Sequence, residues 1–295
     1  MLKLPLITFI VTSYNYDQFI LKTLESIKTQ TYKNFEIIIV DDCSDDNSRK
    51  VIEQFISDNQ DLKITLIKQQ ENKGQLAGML RGLQEANGQF ISFIDSDDML
   101  MPEFAQTHLR IHLQTSVAFT SCKMIEIGEY DEIHTFCSIA SAKIDTNNLQ
   151  EQIYCDIETG SEIKFNILKN KHFGGWYWSP NSSAMFRKAS IELLLDYKNV
   201  SKWKICPDKF VFNFAHLIGG SAIINKPLIA YRRHSSNAGN CTLVTGNTRL
   251  HSDKTTKINI QNNIKIRPET IKFLWQIRKK SGIRNTLYLI LKTIF

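Results

Sequence analysis

Three carboxylates stand close together directly after an apolar segment. Asp95, Asp97 and Asp98 follow the run from Phe90 to Ile94, in which every residue except Ser92 is aromatic or β-branched and apolar. Such a run predicts a buried strand of a parallel sheet, and ligands of open α/β sheets bind beyond the carboxyl ends of the strands. Crowded carboxylates repel one another unless a cation lies between them. Oxygen ligands of this kind suit Mg²⁺ or Mn²⁺, although a solvated acidic loop remains the alternative.

The segments before these acids predict a sheet that would place them at its edge. Apolar, β-branched runs at 4–12, 35–40 and 62–67 alternate with amphipathic helical patterns, the last of which covers 75–86. This alternation predicts right-handed crossovers and a mostly parallel sheet of the α/β class. Asp41 and Asp42 end the second run and are therefore expected at the same edge as the three acids.

Composition limits the class of protein. The chain has 295 residues, of which 42% are hydrophobic and 22% charged, which is typical of a soluble globular protein. It shows no signal-peptide pattern and no apolar run of the ~18 residues that a transmembrane helix needs. The six cysteines have neither a Cys-x-x-Cys pair nor a Cys/His metal spacing. We therefore expect reduced thiols and a cytoplasmic protein.

The positive net charge is concentrated at the C-terminus. Residues 266–295 contain seven basic residues and one acidic residue, and the rest of the chain has as many acids as bases. A neutral body argues against a nucleic-acid partner. In the same segment, apolar residues such as Trp275 and Leu287 lie beside the cluster Arg278, Lys279 and Lys280. Such helices bind anionic membrane surfaces, but packing on the body or in a homodimer is equally compatible with the pattern.

Four motifs within about a hundred residues resemble one family in their order and spacing. They are Val11-Thr-Ser-Tyr-Asn15, Val40-Asp-Asp-Cys-Ser-Asp-Asp46, Asn72-Lys-Gly-Gln75, and Phe93-Ile-Asp-Ser-Asp-Asp98 with Pro102. This set is similar to family 2 glycosyltransferases of the GT-A fold, in which helices flank a Rossmann-like, mostly parallel central sheet. The resemblance implies a nucleotide-diphosphate-sugar donor, in particular a UDP-sugar, with Mn²⁺ or Mg²⁺ and inversion at the sugar carbon.

The resemblance also implies roles for single residues. Asp42 matches the carboxylate that hydrogen-bonds the nucleotide base, and Tyr14 matches the position that packs beside that base. Asp97 matches the direct metal ligand, and Asp95 matches the position that faces the ribose or sugar of the donor. The other positions that it implies for the nucleotide-sugar are Thr12, Lys73, Gly74 and Ser96. An ordinary loop aromatic at Tyr14 and a helix cap at Asp42 are the structural alternatives.

The chain departs from this pattern at one place. Many family members have an Arg-Asn pair in the helix after the Asn-x-Gly motif, and this chain has Met79-Leu80. If that pair helps to hold the donor in those relatives, Arg81 or Lys73 is the candidate to replace it. The residues alone do not choose between the two.

The second half of the chain is expected to bind the acceptor. Asp208 begins an amphipathic pattern that ends at Gly219-Gly220, similar to the helix that carries the catalytic base in this family. An acceptor hydroxyl must lose its proton as it attacks, so a carboxylate is required there. The alternative role of Asp208 is a helix cap. Trp176 and Trp178 stand beside glycines and are expected to stack on a sugar, or else to pack in the core under a loop.

The remaining boundaries follow from the same resemblance. His234, after Tyr231-Arg-Arg, is a candidate second metal ligand and otherwise a structural histidine, and Arg232 or Arg233 is a candidate to contact the diphosphate. We predict a GT-A domain at 1–240, divided into a nucleotide-sugar-binding half at 1–102 and an acceptor-binding half at 103–240. A flexible loop at 241–265 and basic amphipathic helices at 266–295, forming a C-terminal helical extension, complete the chain.

The sequence therefore favours an inverting, metal-dependent glycosyltransferase. The expected acceptor is a hydroxyl of a glycan or a lipid-linked acceptor in surface polysaccharide biosynthesis, and the expected location is cytoplasmic or peripheral on the inner face of the cell membrane. The unusual residues Met79-Leu80 leave a non-catalytic nucleotide-sugar-binding protein as the alternative. A nucleotidyltransferase is less favoured, because no glycine-rich, lysine-bearing phosphate loop follows the first strand.

Overall fold

The architecture is that of a computed structural model, which describes residues 3–138, 149–155, 162–169, 177–235, 237, 243–245, 248–250 and 265–294. Within these ranges, eleven strands form one mixed sheet and two further strands form a hairpin. Helices flank the sheet, which confirms the expected α/β class. The division into halves remains a prediction.

The first half builds the parallel part of the sheet. Its strands lie in the order β3-β2-β1-β4, and all three of these pairings are parallel. The strands and helices in chain order are β1 (Ile7–Ser13), α1 (Ile20–Lys28), β2 (Phe35–Asp41), α2 (Ser48–Asp58), β3 (Ile64–Lys68), α3 (Gln75–Glu85) and β4 (Phe90–Asp95). Because the strands are parallel, the acids after β2 and β4 lie at one edge of the sheet, as predicted.

The second half extends this sheet with mostly antiparallel pairs. From β4 the order continues β10-β6-β11-β9-β8, and only β6 with β11 is parallel in this part. Its elements are β5 (Met99–Leu100), α4 (Phe104–Gln114), β6 (Phe119–Ile127), β7 (Ile133–Ser138), β8 (Leu149–Cys155), β9 (Glu162–Leu168), β10 (Ala184–Arg187), α5 (Lys188–Ile191), α6 (Asp208–Gly219) and β11 (Ser221–Arg232). The structure thus places β11 close enough to the acids for its end to contact them.

Glycines let α3 lie close to the sheet. A Cβ on Gly82 would come within 2.3 Å of Ile10 Cγ2 on β1, and one on Gly78 would come within 3.1 Å of Thr12 Cγ2. Met79 and Leu80, at the positions of the missing Arg-Asn pair, are buried in the core between α3 and the sheet. Helix α3 is therefore held against β1 by packing, and its first residue, Gln75, is fixed at the sheet edge.

The structure adds short strands that the motifs did not predict. Met99–Leu100, between the acids and α4, forms a strand that pairs with β11, and α4 begins at Phe104, after Pro102. Strand β7 pairs with β6. Within the predicted loop at 241–265, the described residues include a hairpin of β12 (Leu243–Thr245) and β13 (Thr248–Leu250).

The C-terminal residues form three helices, as the amphipathic pattern predicted. They are α7 (Ile266–Gln276), α8 (Arg278–Ser281) and α9 (Ile283–Ile294). Phe273 and Leu274 of α7 are buried in the same core cluster as Phe210 and Phe214 of α6. None of the helices in the described part of the chain is long and apolar enough to cross a membrane.

Candidate active site

The loop after β4 forms the centre of the candidate site. The Asp95 carboxylate accepts hydrogen bonds at Oδ1 from Gln75 Nε2, at 2.7 Å, and from Asn181 Nδ2, at 3.0 Å. The backbone N–H of Asp95 donates to Ser182 Oγ at 3.0 Å. Gln75 begins α3, whereas Asn181 and Ser182 belong to a short 3₁₀ helix before β10. Asp95 therefore joins the two halves of the sheet.

The two predicted metal ligands are in direct contact. Asp97 Oδ2 lies 2.9 Å from His234 Nε2 and accepts a second hydrogen bond from Asn237 Nδ2 at 3.1 Å. Asn237 Oδ1 in turn accepts the backbone N–H of His234 at 2.6 Å. Asp97 and the His234 side chain are both buried. The structure thus brings together two donor atoms that are 137 residues apart in sequence.

A fully buried arginine supports this loop from below. Arg232 Nε donates to the carbonyl oxygen of Asp97 at 2.9 Å, and its backbone N–H donates to Asp98 Oδ1 at 3.0 Å. Its guanidinium also pairs with Asp131 at 2.6 Å, donates to the carbonyls of 128 and 129, and lies 4.9 Å from the Phe19 ring centroid. This network corrects the expectation that Arg232 contacts a diphosphate: it holds the acidic loop in place.

Two aromatic rings surround His234. Phe19 lies 4.8 Å from it between ring centroids, and Tyr16 packs edge-on at 5.6 Å. Burial and the nearby charges of Asp97 and Asp95 raise the pKa of the Tyr16 hydroxyl. Tyr16 therefore stays protonated beside the acids at neutral pH and can donate a hydrogen bond there.

Two of the acids have raised pKa values. Burial, followed by repulsion from Asp97, raises the pKa of Asp95 to about 7, and Asp208 adds to the repulsion. Burial and repulsion from Asp97 and Asp95 raise the pKa of Asp98 well above its ordinary value. Desolvation and like charges disfavour the ionised form, which a bound cation would restore.

Asp208 stands near this cluster at the first residue of α6. Burial raises the pKa of its carboxyl to about 6, against a smaller opposing effect of the hydrogen bond from the Lys209 N–H at 2.9 Å. Its field raises the pKa of both Asp95 and Cys206, so the three groups share one region. A helix-capping role for Asp208 would rest on this contact with the next residue.

The acids at the end of β2 have quite different surroundings. Asp42 accepts hydrogen bonds from the backbone N–H groups of Lys73, at 2.8 Å, and Gly74, at 2.7 Å, and from Gln69 Nε2 at 2.7 Å. Asp41 pairs with Arg49 at 2.5 Å and accepts the N–H of Ser44. Asp42 thus orders the Asn72-Lys-Gly motif rather than capping α2.

The loop after β1 lies against the residues that follow Asp42. The backbone N–H groups of Asn15 and Tyr16 donate to Ser44 Oγ and Ser48 Oγ, at 3.0 and 2.9 Å. Tyr14 is 42% exposed, so its ring is available to a ligand, and the carbonyl of the preceding Ser13 accepts the Asp42 N–H at 2.8 Å. Thr12 lies under Gly78, and Ser96 is buried with its carbonyl accepting from Thr23 Oγ1 at 2.9 Å.

Lys73 and Gly74 contribute backbone rather than side-chain interactions. Gly74 has φ of 87°, and a Cβ there would lie 2.5 Å from Lys204 Cα. Gln75 N–H donates to the Lys204 carbonyl at 2.9 Å, so this turn also touches the segment before Asp208. The Lys73 side chain is exposed and lies 3.4 Å from Glu71.

Some predicted side chains lie elsewhere. Trp178 is fully buried: its Nε1 donates to Ser221 Oγ at 2.9 Å and its ring packs on Phe119, which corrects the expected sugar-stacking role. Core packing is therefore its role, and Trp176 lies outside the described residues. Arg81 forms a surface pair with Glu85 at 2.6 Å and Arg233 pairs with Glu126 at 3.2 Å.

Four site residues escaped the sequence reasoning. They contact the acidic loop through side chains from distant segments: Tyr16, Gln75, Asn181 and Asn237. Gln75 belongs to the Asn72-Lys-Gly-Gln motif, although no role was predicted for it, and Asn237 lies three residues after His234. These positions were the available signals. Nothing local distinguishes the buried amide of Asn181 from an ordinary turn residue.

Comparisons with known proteins identify the family. Residues 8–171 match the sequence profile described as "Glycosyl transferase family 2". The chain is 29% identical over 241 residues to the putative glycosyltransferase EpsH of Bacillus subtilis, covering 80% of this chain and 63% of that one. It is 32% identical over 144 residues to Escherichia coli WfgD, covering 49% and 54% of the two chains. WfgD is named as a UDP-Glc:alpha-D-GlcNAc-diphosphoundecaprenol beta-1,3-glucosyltransferase.

The chain spans less than two thirds of the length of these curated relatives. Among solved structures, it is similar to residues 1–349 of S. aureus TarS in complex with UDP-GlcNAc, with a TM-score of 0.59 and 14% identity. That match covers 99% of this chain and 72% of the TarS chain. At this identity the likeness shows the fold, which is GT-A.

Proposed function

Because the chain belongs to glycosyl transferase family 2, we propose that it transfers a sugar, with inversion, from a UDP-sugar to a hydroxyl of a glycan or lipid-linked acceptor in surface polysaccharide biosynthesis. One observation carries the proposal: Asp95, Asp97, Asp98 and His234 meet at the carboxyl edge of the sheet, with Asp208 close by. UDP as the nucleotide is supported by the names of WfgD and the TarS complex.

The donor set fits a divalent cation. Asp97 Oδ2 and His234 Nε2, 2.9 Å apart, would hold Mn²⁺ or Mg²⁺. No group of three or more His, Cys, Asp or Glu side chains within the described residues could hold a metal ion alone. Two protein ligands suit these ions, whose shells are usually completed by water and substrate phosphates. When bound, the ion would neutralise the charge that develops on the departing diphosphate.

Asp208 is the proposed general base. A base works best when its pKa lies near the working pH, and burial raises the pKa of Asp208 to about 6. At pH 7 the carboxylate is then mostly ionised but more basic than an exposed aspartate. It would accept the proton of the acceptor hydroxyl as that oxygen attacks the sugar carbon opposite the diphosphate.

The end of β2 supplies the proposed nucleotide site. Asp42 is fixed by the turn at Lys73 and Gly74, and a carboxylate with three hydrogen bonds can accept one more from a base N–H. Tyr14 offers an exposed ring to the face of the same base. Thr12 on β1 pairs in register with Val40 of β2 and Asp95 of β4, so it lies between the two acidic strand ends, and Ser96 stands between Asp95 and Asp97 in sequence.

A lipid-linked acceptor would be presented at the membrane, so the proposal places the enzyme at the inner face of the cell membrane. The name of WfgD, which includes a diphosphoundecaprenol acceptor, supports this choice. The basic C-terminal segment is also compatible with it.

Thermal stability with UDP, GDP, CDP and dTDP, each with and without Mn²⁺, tests the donor site. A ligand at a hundred times its Kd adds about 2.7 kcal/mol to the free energy of unfolding, enough to raise the Tm by several degrees. We expect a Mn²⁺-dependent shift with UDP. No shift with any nucleotide would contradict the proposed site.

Two variants separate metal binding from chemistry. Asp97→Asn should lose the Mn²⁺-dependent shift, whereas Asp208→Asn should keep it and lose transfer. Asp58→Asn, at an exposed carboxylate on α2, is the control and should change neither. Donor binding without turnover in the unmodified protein would instead support the non-catalytic alternative, which Met79-Leu80 suggests.

A further inference from the structure

The last helix, α9, turns its apolar side outward. Ile283, Leu287, Tyr288 and Leu291 are 63%, 47%, 59% and 53% exposed. Their spacing of four, five and eight residues places them on one face. The opposite side contains Thr286 and Thr293, which are buried. A helix at a water-exposed surface normally has the reverse arrangement, so this face lacks the apolar partner that its composition calls for.

The helix is nevertheless fixed to the body. Leu289 and Ile290 pack against the core cluster that contains Phe273 of α7 and Phe214 of α6. The Thr286 hydroxyl lies 2.6 Å from Ser281 Oγ, which ties the start of α9 to α8. The outward apolar face therefore results from how α9 packs on the body, and the same cluster holds the helix that begins at Asp208.

Positive charge accompanies this face. The segment 266–294 has seven basic residues, and its one acid, Glu269, is buried and accepts hydrogen bonds from Tyr197, Asn199 and Lys202. The seven are Arg267, Lys272, Arg278, Lys279, Lys280, Arg284 and Lys292. Lys280 pairs with Asp196, outside this segment, at 2.7 Å, and the segment itself has no exposed acid.

Two of these cations lie over aromatic rings. Arg278 is 4.8 Å from the ring centroid of Trp275, which is exposed on α7, and Lys292 is 4.6 Å from that of Tyr288. Trp and Tyr next to Lys and Arg are typical of the boundary between lipid headgroups and acyl chains.

We propose that the face of Ile283, Leu287, Tyr288 and Leu291 binds the surface of an anionic bilayer, with the basic residues of α7 to α9 contacting lipid phosphates. Apolar burial and attraction to anionic headgroups add in such helices. A second copy of the chain fits less well, because a two-fold interface through this face would bring the basic segments of both copies together. The binding step requires no glycosyl transfer, so it is independent of the proposed reaction.

Flotation of the full chain with vesicles tests this surface. We expect binding to vesicles of phosphatidylglycerol and phosphatidylcholine, little binding to phosphatidylcholine alone, and weaker binding as salt rises. Binding that is equal for both vesicle types, or absent from both, would overturn the proposal.

A double variant with a matched control locates the surface. Leu287→Gln with Leu291→Gln should lower the partition coefficient about tenfold or more, because two apolar side chains no longer enter the bilayer. Leu113→Gln, at an exposed leucine on α4, should leave it unchanged. All three positions are exposed, and an unchanged urea midpoint would verify that both variants fold.

Charge is tested separately. Lys279→Gln with Arg284→Gln should lower binding to anionic vesicles about tenfold or more and leave binding to neutral vesicles unchanged. The assignment would be overturned if the Leu113 control and the Leu287/Leu291 variant lost vesicle binding equally. It would also be overturned if the unmodified chain did not bind vesicles but formed a dimer that the Leu287/Leu291 variant abolished.

Discussion

The two acidic strand ends of the sheet differ in how their charges are satisfied. After β2, Asp42 accepts hydrogen bonds from two backbone N–H groups and one side-chain amide, and Asp41 pairs with Arg49. After β4, Asp95 and Asp98 have raised pKa values, because they are buried beside Asp97 and repel one another. The same residue type thus stabilises one loop and is held at an electrostatic cost in the other.

This difference separates recognition from chemistry. A carboxylate that its own chain fixes by three hydrogen bonds keeps one acceptor position on a rigid surface for a nucleotide base. A buried cluster of carboxylates gains the most from a bound cation. Clusters with shifted pKa values are typical of sites that carry out chemistry. Variants of the acids at the end of β4 and of the neighbouring Asp208 should therefore affect turnover most.

The largest effect is expected at Asp208. Asp208→Asn removes the proposed base but not the donor site, so the transfer rate should fall about 10²–10⁴-fold with little change in UDP affinity. Initial rates and a UDP titration of the same preparation measure both quantities. A loss of UDP affinity equal to the loss in rate would show that Asp208 supports the donor site instead.

The buried arginine below the acidic loop should dominate stability. Arg232→Met removes the hydrogen bonds to the carbonyls of Asp97, Gly128 and Glu129 and one of the two basic partners of Asp131, the other being Lys22. It should therefore cost about 3–5 kcal/mol of unfolding free energy. Arg81→Met, which breaks an exposed pair with Glu85, should cost under about 0.5 kcal/mol. Urea unfolding compares the two, and similar losses would contradict the role given to Arg232.

Acidity should stabilise the metal-free protein through Asp95. Its pKa is raised from 3.8 to about 7, so the folded chain keeps a proton that the unfolded chain releases. This contribution to the free energy of unfolding is fully present below pH 3.8 and is lost as the pH rises to about 7. Asp95→Asn should remove this slope. The difference between the two pH curves measures it, and parallel curves would contradict the raised pKa.

The same Asp→Asn substitution, made at each strand end, gives the most direct contrast in stability between the two. Asp42→Asn puts an amide against backbone N–H groups and should cost about 1–3 kcal/mol. Asp98→Asn removes a buried charge next to Asp97, and its Oδ1 can still accept the Arg232 N–H, so stability without metal should be unchanged or higher. Thermal unfolding at pH 7.5 without metal checks both signs, and equal losses would remove the contrast.

Much of the first half could be predicted from the sequence. The pattern of β-branched strands and amphipathic helices predicted β1 to β4 within a few residues and placed both groups of acids at one edge. The second half was harder to predict, since its strands pair antiparallel and non-sequentially, and β7 lies in a segment without clear alternation. The sequence also left the burial of Trp178 undecided, because an aromatic residue beside glycines suits a surface or a core equally well.

The sequence by itself determined the fold class, the family resemblance and the acids on which the site is built. Those features depend on local periodicity and on motifs of neighbouring residues. Only the tertiary structure decided that His234 and Asn237 contact Asp97, that Asn181 contacts Asp95, and that Arg232 is a buried support. These contacts join residues that are 86 to 140 positions apart. The packing of the whole sheet sets their distances, and no local preference of the chain encodes them.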